Sequence, residues 1–146
     1  MVYAAFEWDH VVGNDYIRWV VIECAGIGEL FGGIQALPPR VDAAYFIDPQ
    51  TAEADAVAFA KMKNGGATGV APQPDPAPDG ERFEAFCWDH RQGKELIRWA
   101  VLKHLPALAG TKRNRRDVAY FLQDSAEEDA KSFAKHRNAL LLERAS

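Results

Sequence analysis

What most constrains the fold of this chain is that one motif occurs twice. Ala5, Phe6, Trp8, Asp9 and His10 recur as Ala85, Phe86, Trp88, Asp89 and His90, an offset of 80 residues. At the same offset Gly13 meets Gly93, and Ile17-Arg18-Trp19 meets Ile97-Arg98-Trp99. After a deletion in the second copy, Ala44-Tyr45-Phe46 matches Ala119-Tyr120-Phe121. Asp55-Ala56, Phe59-Ala60-Lys61 and Asn64 then match Asp129-Ala130, Phe133-Ala134-Lys135 and Asn138. Two diverged copies of one supersecondary unit follow from this, so a fold proposed for the first copy must also suit the second.

A chain of 146 residues, 48% of them apolar, can bury a core, whereas each half alone is short for an independent domain. The halves are therefore expected to pack together, as repeats 1–71 and 82–146 joined by a linker over 72–81. Gly65-Gly66-Ala67-Thr68-Gly69-Val70 leads into that linker. Its prolines at 72, 74, 76 and 78, followed by Gly80, favour extended backbone. Charge is uneven: residues 1–80 carry 11 acidic and 4 basic side chains, net -7, and residues 81–146 carry 10 and 13, net +3. Such asymmetry either orients the halves against each other or marks a basic face for an anionic partner.

Cys24 and Cys87 stand at non-equivalent places in the copies, and Cys24 lies in an apolar run, so a disulfide framework is not expected. The first residues, Met1-Val2-Tyr3-Ala4-Ala5, show no basic region before an apolar stretch, and no apolar run approaches membrane-spanning length. The expectation is a cytoplasmic protein without membrane contact.

Each copy opens with an aromatic-rich strand, Val2 to Trp8 and Arg82 to Trp88. Period two puts Phe6 with Trp8, and Phe86 with Trp88, on one face. The other face carries Tyr3, Ala5 and Glu7, or Phe83, Ala85 and Cys87. A helix is predicted next, capped by Asn14, because Ile17, Val20, Val21 and Cys24 follow the i, i+3, i+4, i+7 stripe, as do Ile97, Ala100, Val101 and His104. Gly32 to Leu37 reads as a short edge strand ended by Pro38-Pro39, and Val41 to Ile47 as a further strand. In the second copy Pro106 and a basic tract replace the edge strand before Val118 to Leu122. A second helix follows, capped by Thr51 or by Ser125 in a Ser125-Ala126-Glu127-Glu128 capping box. Ala56, Phe59 and Ala60, or Ala130, Phe133 and Ala134, form its apolar stripe, and last strands are placed near Thr68 to Ala71 and Leu140 to Glu143.

The resulting class is α+β: tandem duplicated ferredoxin-like β-α-β-β-α-β units packed as a pseudo-dimer. Glu7-x-Asp9-His10 follows the opening strand, Gly28-Glu29-Leu30-Phe31-Gly32-Gly33 precedes the edge strand, and Ala52-Glu53-Ala54-Asp55-Ala56 opens the second helix. In these features residues 1 to 72 resemble the small YCII-type members of the dimeric α+β barrel superfamily. The resemblance implies sheet faces buried against each other around a pocket, with an Asp/His pair at its mouth acting in lyase, isomerase or hydrolase-type chemistry without a cofactor.

The candidate catalytic residues are Glu7, Asp9, His10, Asp89 and His90. An Asp beside a His can fix its tautomer and raise its basicity, as a general base requires. The alternative is that Asp9 and Asp89 hold a turn or cap a helix, while Trp8 and Trp88 fill the core. Glu7 lies in line with Tyr3 and Ala5, where a barrel interior would be, and enclosure there would raise its pKa. Tyr45, Tyr120, Arg18 and Arg98 are candidate ligand contacts, with core packing or salt bridging as their structural reading. The histidines at 10, 90, 104 and 136 have no metal-site spacing, and no metal or cofactor is expected.

Three functions stay open. The leading one is a small non-catalytic interaction or regulatory protein; the second is a cofactor-independent enzyme or small-ligand binder with an inter-sheet pocket. The third is nucleic-acid binding through Lys112, Arg113, Arg115 and Arg116, against which stand the missing RNP-type signature and the overall acidity. The expected partner is a protein or a small molecule, bound by a pseudo-twofold monomer or a homodimer.

Overall fold

The computed structural model of the chain describes residues 2–12, 15–30, 33–65, 81–92, 95–104 and 115–145. They fall in two units, Met1–Thr68 and Gly69–Ser146. The first contains β1 (Val2–Val12), β2 (Asp15–Leu30), β3 (Gly33–Phe46) and α1 (Ala52–Lys63). The second contains β4 (Arg82–Gln92), β5 (Glu95–His104), β6 (Arg115–Phe121) and α2 (Ala126–Ala145). Strands β1, β2 and β3 pair antiparallel in sequence order, as do β4, β5 and β6. The chain is therefore α+β, with antiparallel strands and, among the described residues, two helices.

Within each unit the element order is β-β-β-α, which corrects the ferredoxin-like order at the segment after the first strand. Ile17, Val20, Val21 and Cys24 belong to β2, and Ile97, Ala100, Val101 and His104 to β5. Adjacent residues of a strand point to opposite sides, and both sides of β2 are covered: Val20 is 3% exposed and Val21 is 0%. A strand covered on both sides needs consecutive apolar residues, and a consecutive run contains the helical stripe as a subset. Between the two patterns, the β-branched trio Val20-Val21-Ile22 decides for extended backbone. Asn14 lies outside the described residues, and no helix follows it for it to cap.

Three further expectations change. Gly33 to Phe46 is one strand rather than two: Cys24 faces Arg40 and Gly26 faces Leu37, so Pro38 and Pro39, joined by a cis bond, together oppose Ala25. Leu140 to Glu143 continue α2 instead of forming a strand. Thr51 makes no capping bond with its side chain. The strand expected near Thr68 to Ala71 and the linker as far as residue 80 lie outside the described residues.

The repeated residues have repeated structural duties. Glu7 faces Trp19 and His10 faces Ile17, so Trp8 and Asp9 together oppose Arg18; Trp88 and Asp89 oppose Arg98 in the same way. These are β-bulges, and Asp9 and Asp89 take the positive φ values, 22° and 44°, that Asp adopts more readily than most residues. The duplicated Trp-Asp-His is thus a bulge signature. Further along, Ala43 and Val118 are the extra residues of a second pair of bulges. The buried Tyr45 hydroxyl there donates to Asp42 Oδ2 at 2.6 Å, and Tyr120 to Asp117 Oδ2 at 2.6 Å.

Each helix covers one face of its own three strands. Phe59 of α1 meets Phe46 with ring centroids 5.9 Å apart, and Phe133 of α2 meets Phe121 at 5.9 Å. Fully burying a side chain of this size contributes about 1.5–3 kcal/mol. Ala56 and Ala130 are fully buried beside these rings. Asp55 and Asp129 are buried too, and accept hydrogen bonds from Thr51 Oγ1 at 2.9 Å and Ser125 Oγ at 2.8 Å. Asn64 ties the end of α1 to β1: the Tyr3 amide donates to its Oδ1 at 2.9 Å, and its Nδ2 donates to the Tyr3 carbonyl at 2.8 Å. Asn138 makes the same two bonds with Phe83, at 2.7 and 3.0 Å.

Candidate functional site

Of the side chains nominated in the first copy, Glu7, Asp9 and Arg18 come together at the amino-terminal turn of α1. The bulge in β1 brings Glu7 and Asp9 to the rim of an open cleft of about 420 Å³, whose walls include Arg18 and Trp19 of β2. Pro49, Gln50, Ala52 and Glu53 close it from the helix side. Glu7 therefore stands on the face that α1 covers and not on a bare sheet face. Tyr45, expected to look into the same space, packs its ring against Trp8 at 5.1 Å on the other side of the strands, while its neighbour Phe46 meets the helix.

Electrostatics in the cleft are set by three carboxylates and one guanidinium. Glu7 shares a hydrogen bond with Asp9, and this bond, then the Asp9 charge, slight desolvation and the Glu53 charge raise its pKa above the ordinary 4.5. Tyr16 donates its hydroxyl to Asp9 Oδ1 at 3.0 Å, and chiefly for that reason its pKa is raised as well. The Arg18 guanidinium lies 4.9 Å from the Tyr16 ring centroid. Glu53 and Asp55 complement the positive end of the α1 dipole. The arrangement can accept hydrogen bonds, attract a cation and exchange a proton, but both Glu7 and Asp9 are open to solvent.

At the equivalent place in the second unit the charged side chains pair with one another. Cys87 replaces Glu7 and is exposed with a free thiol. Arg98 donates from Nε to the Leu122 carbonyl at 3.1 Å and pairs with Asp124 at 3.6 Å. Lys131 pairs with Glu127 at 2.8 Å while its Nζ lies 5.5 Å from the Trp99 ring centroid.

The other nominated residues are dispersed. His10 and His90 belong to β1 and β4, opposite Ile17 and Ile97, and their side chains lie outside the described residues. Tyr120, like Tyr45, is buried and meets a tryptophan, Trp88, at 5.9 Å. Lys112 and Arg113 lie outside the described residues; Arg115 and Arg116 belong to β6, where Arg116 is exposed. The sequence reading passed over Trp19, Gln50 and Glu53, although Trp19 recurs as Trp99 and Glu53 as Glu127. Among the described residues no group of three or more His, Cys, Asp or Glu side chains could hold a metal ion, and no helix is long and apolar enough to cross a membrane. No family model, curated protein or solved structure matches the chain.

Proposed function

We propose that the chain is a non-catalytic interaction protein that engages a protein partner through an arm of its first unit. The arm is the outer part of the β2–β3 hairpin, where Gly26 to Leu30 pair with Gly33 to Leu37. Ile27 and Ile34 project from the same side of this ribbon and are 54% and 71% exposed. That observation carries the reading: the backbone is paired, the glycines leave room for packing from within, since a Cβ at Gly28 would meet Leu37 at 2.9 Å, and the isoleucines stay open to solvent. The open, solvated cleft beside Glu7 supports binding better than bond-making chemistry, which calls for an enclosed site.

Replacing Ile27 and Ile34 together by Ser leaves thermal stability unchanged, because both are more than half exposed, and releases the chain from the complex in which it migrates in extracts of its own cells. Wild type and double variant eluting alike on size-exclusion chromatography of such extracts would sink the reading.

A further inference from the structure

We infer that the cleft of the first unit takes up an alkylammonium group supplied from outside the chain. The second unit shows how the same residues treat such a group when the chain provides it: the Lys131 ammonium sits 5.5 Å from the Trp99 centroid and 2.8 Å from Glu127. Trp19 and Glu53 hold the equivalent positions in the first unit, but the position of Lys131 is Val57, 42% exposed. The next lysine of α1, Lys61, is two turns beyond Glu53, about 12 Å along the axis. No ion pair among the described residues occupies Glu7, Asp9 or Glu53, and the one cation lining the cleft, Arg18, lies over Tyr16.

The first unit has thus kept the aromatic wall and the glutamate, lost the internal cation, and gained Glu7 where the second unit has Cys87. The three carboxylates do not gather closely enough for a metal ion, which favours a larger cation. An ammonium on an aliphatic stem meets both halves of the site: its head reaches Glu7 and Glu53, and its methylenes lie along Trp19. Such contacts are individually weak at an exposed site, so the expected dissociation constant is millimolar. This site is separate from the arm, and loss of either leaves the other in place.

The test follows the indole N–H signals of the full chain by NMR, with Trp19→Phe assigning one of them, while butylammonium chloride is added. The Trp19 signal shifts to saturation, whereas potassium chloride at equal ionic strength and neutral butanol leave it in place. Val57→Lys, which installs the missing internal cation, abolishes the shift, and Lys131→Ala makes the Trp99 signal responsive. Blocked lysine amide distinguishes the source: saturation at lower concentration than butylammonium assigns a protein side chain, and the reverse assigns a free amine. A Trp19 signal that ignores butylammonium, follows potassium chloride equally, or still saturates in Val57→Lys overturns the inference.

Discussion

The two units carry a tryptophan and a glutamate at equivalent places beside the first turn of their helices and use them in opposite ways. In the second, Lys131 and Glu127 pair beside Trp99, and Arg98 is held by Leu122 and Asp124. In the first, the matching residues border a cleft with an excess of carboxylate. What differs are positions without a duty in the frame: Glu7 against Cys87, Gln50 against Asp124, Val57 against Lys131. What is shared has a duty each time, at the bulges, the tyrosine–aspartate bonds, the buried helix aspartates and the asparagine clamps. A duplicated scaffold holds its frame residues fixed and is free to diverge between them.

The largest test of that equivalence is the clamp. Asn64→Ala and Asn138→Ala each leave a strand amide and carbonyl without their partner, at a cost of about 1–3 kcal/mol where the group is buried. Asn138 gives the larger loss in urea denaturation, since its bonds are partly buried and those of Asn64 are exposed. Equal and negligible losses would show that the helices need no such tie. At the first bulge, Asp9→Val and Asp89→Val put a β-branched residue at positive φ, and each lowers stability by about 1–2 kcal/mol. A loss confined to one unit would break the parallel there. The smallest effect concerns Glu7 alone. Its raised pKa means that folding favours the protonated form, so wild-type stability falls as pH rises from 4.5 through the higher folded value. Glu7→Gln does not titrate, and its melting temperature gains on wild type from acid to neutral pH. Cys87→Glu, beside Asp89, brings the same dependence into the second unit, and a difference flat with pH would dissolve the Glu7–Asp9 pair.

The sequence makes the repeat, the opening strands, the Phe59 and Phe133 helices and the paired faces of Phe86 and Trp88 legible, because each depends on local periodicity. The nature of β2 was hidden by its burial on both sides, which imitates a helical stripe. A second signal pointed the right way: two residues, Gly13-Asn14, separate the apolar runs of β1 and β2, and Gly-Asn between such runs favours a hairpin. The site was legible in part. Glu7 and Asp9 were nominated from the opening strand and Arg18 from a segment read as a helix, but Trp19 and Glu53 join them only through the packing of α1 on the sheet. Once β2 is a strand, Glu7 turns toward that helix and away from Tyr45.

The asparagine clamps have a consequence for how this chain behaves among other chains. β1 and β4 pair with β2 and β5 on one side only among the described residues, and the outer margin of a strand is a template on which a foreign strand can grow. At Tyr3 and Phe83 the amide and carbonyl that would start such growth are already taken by a side chain of the same unit. Runaway association along these margins is discouraged at the cost of a single residue in each repeat.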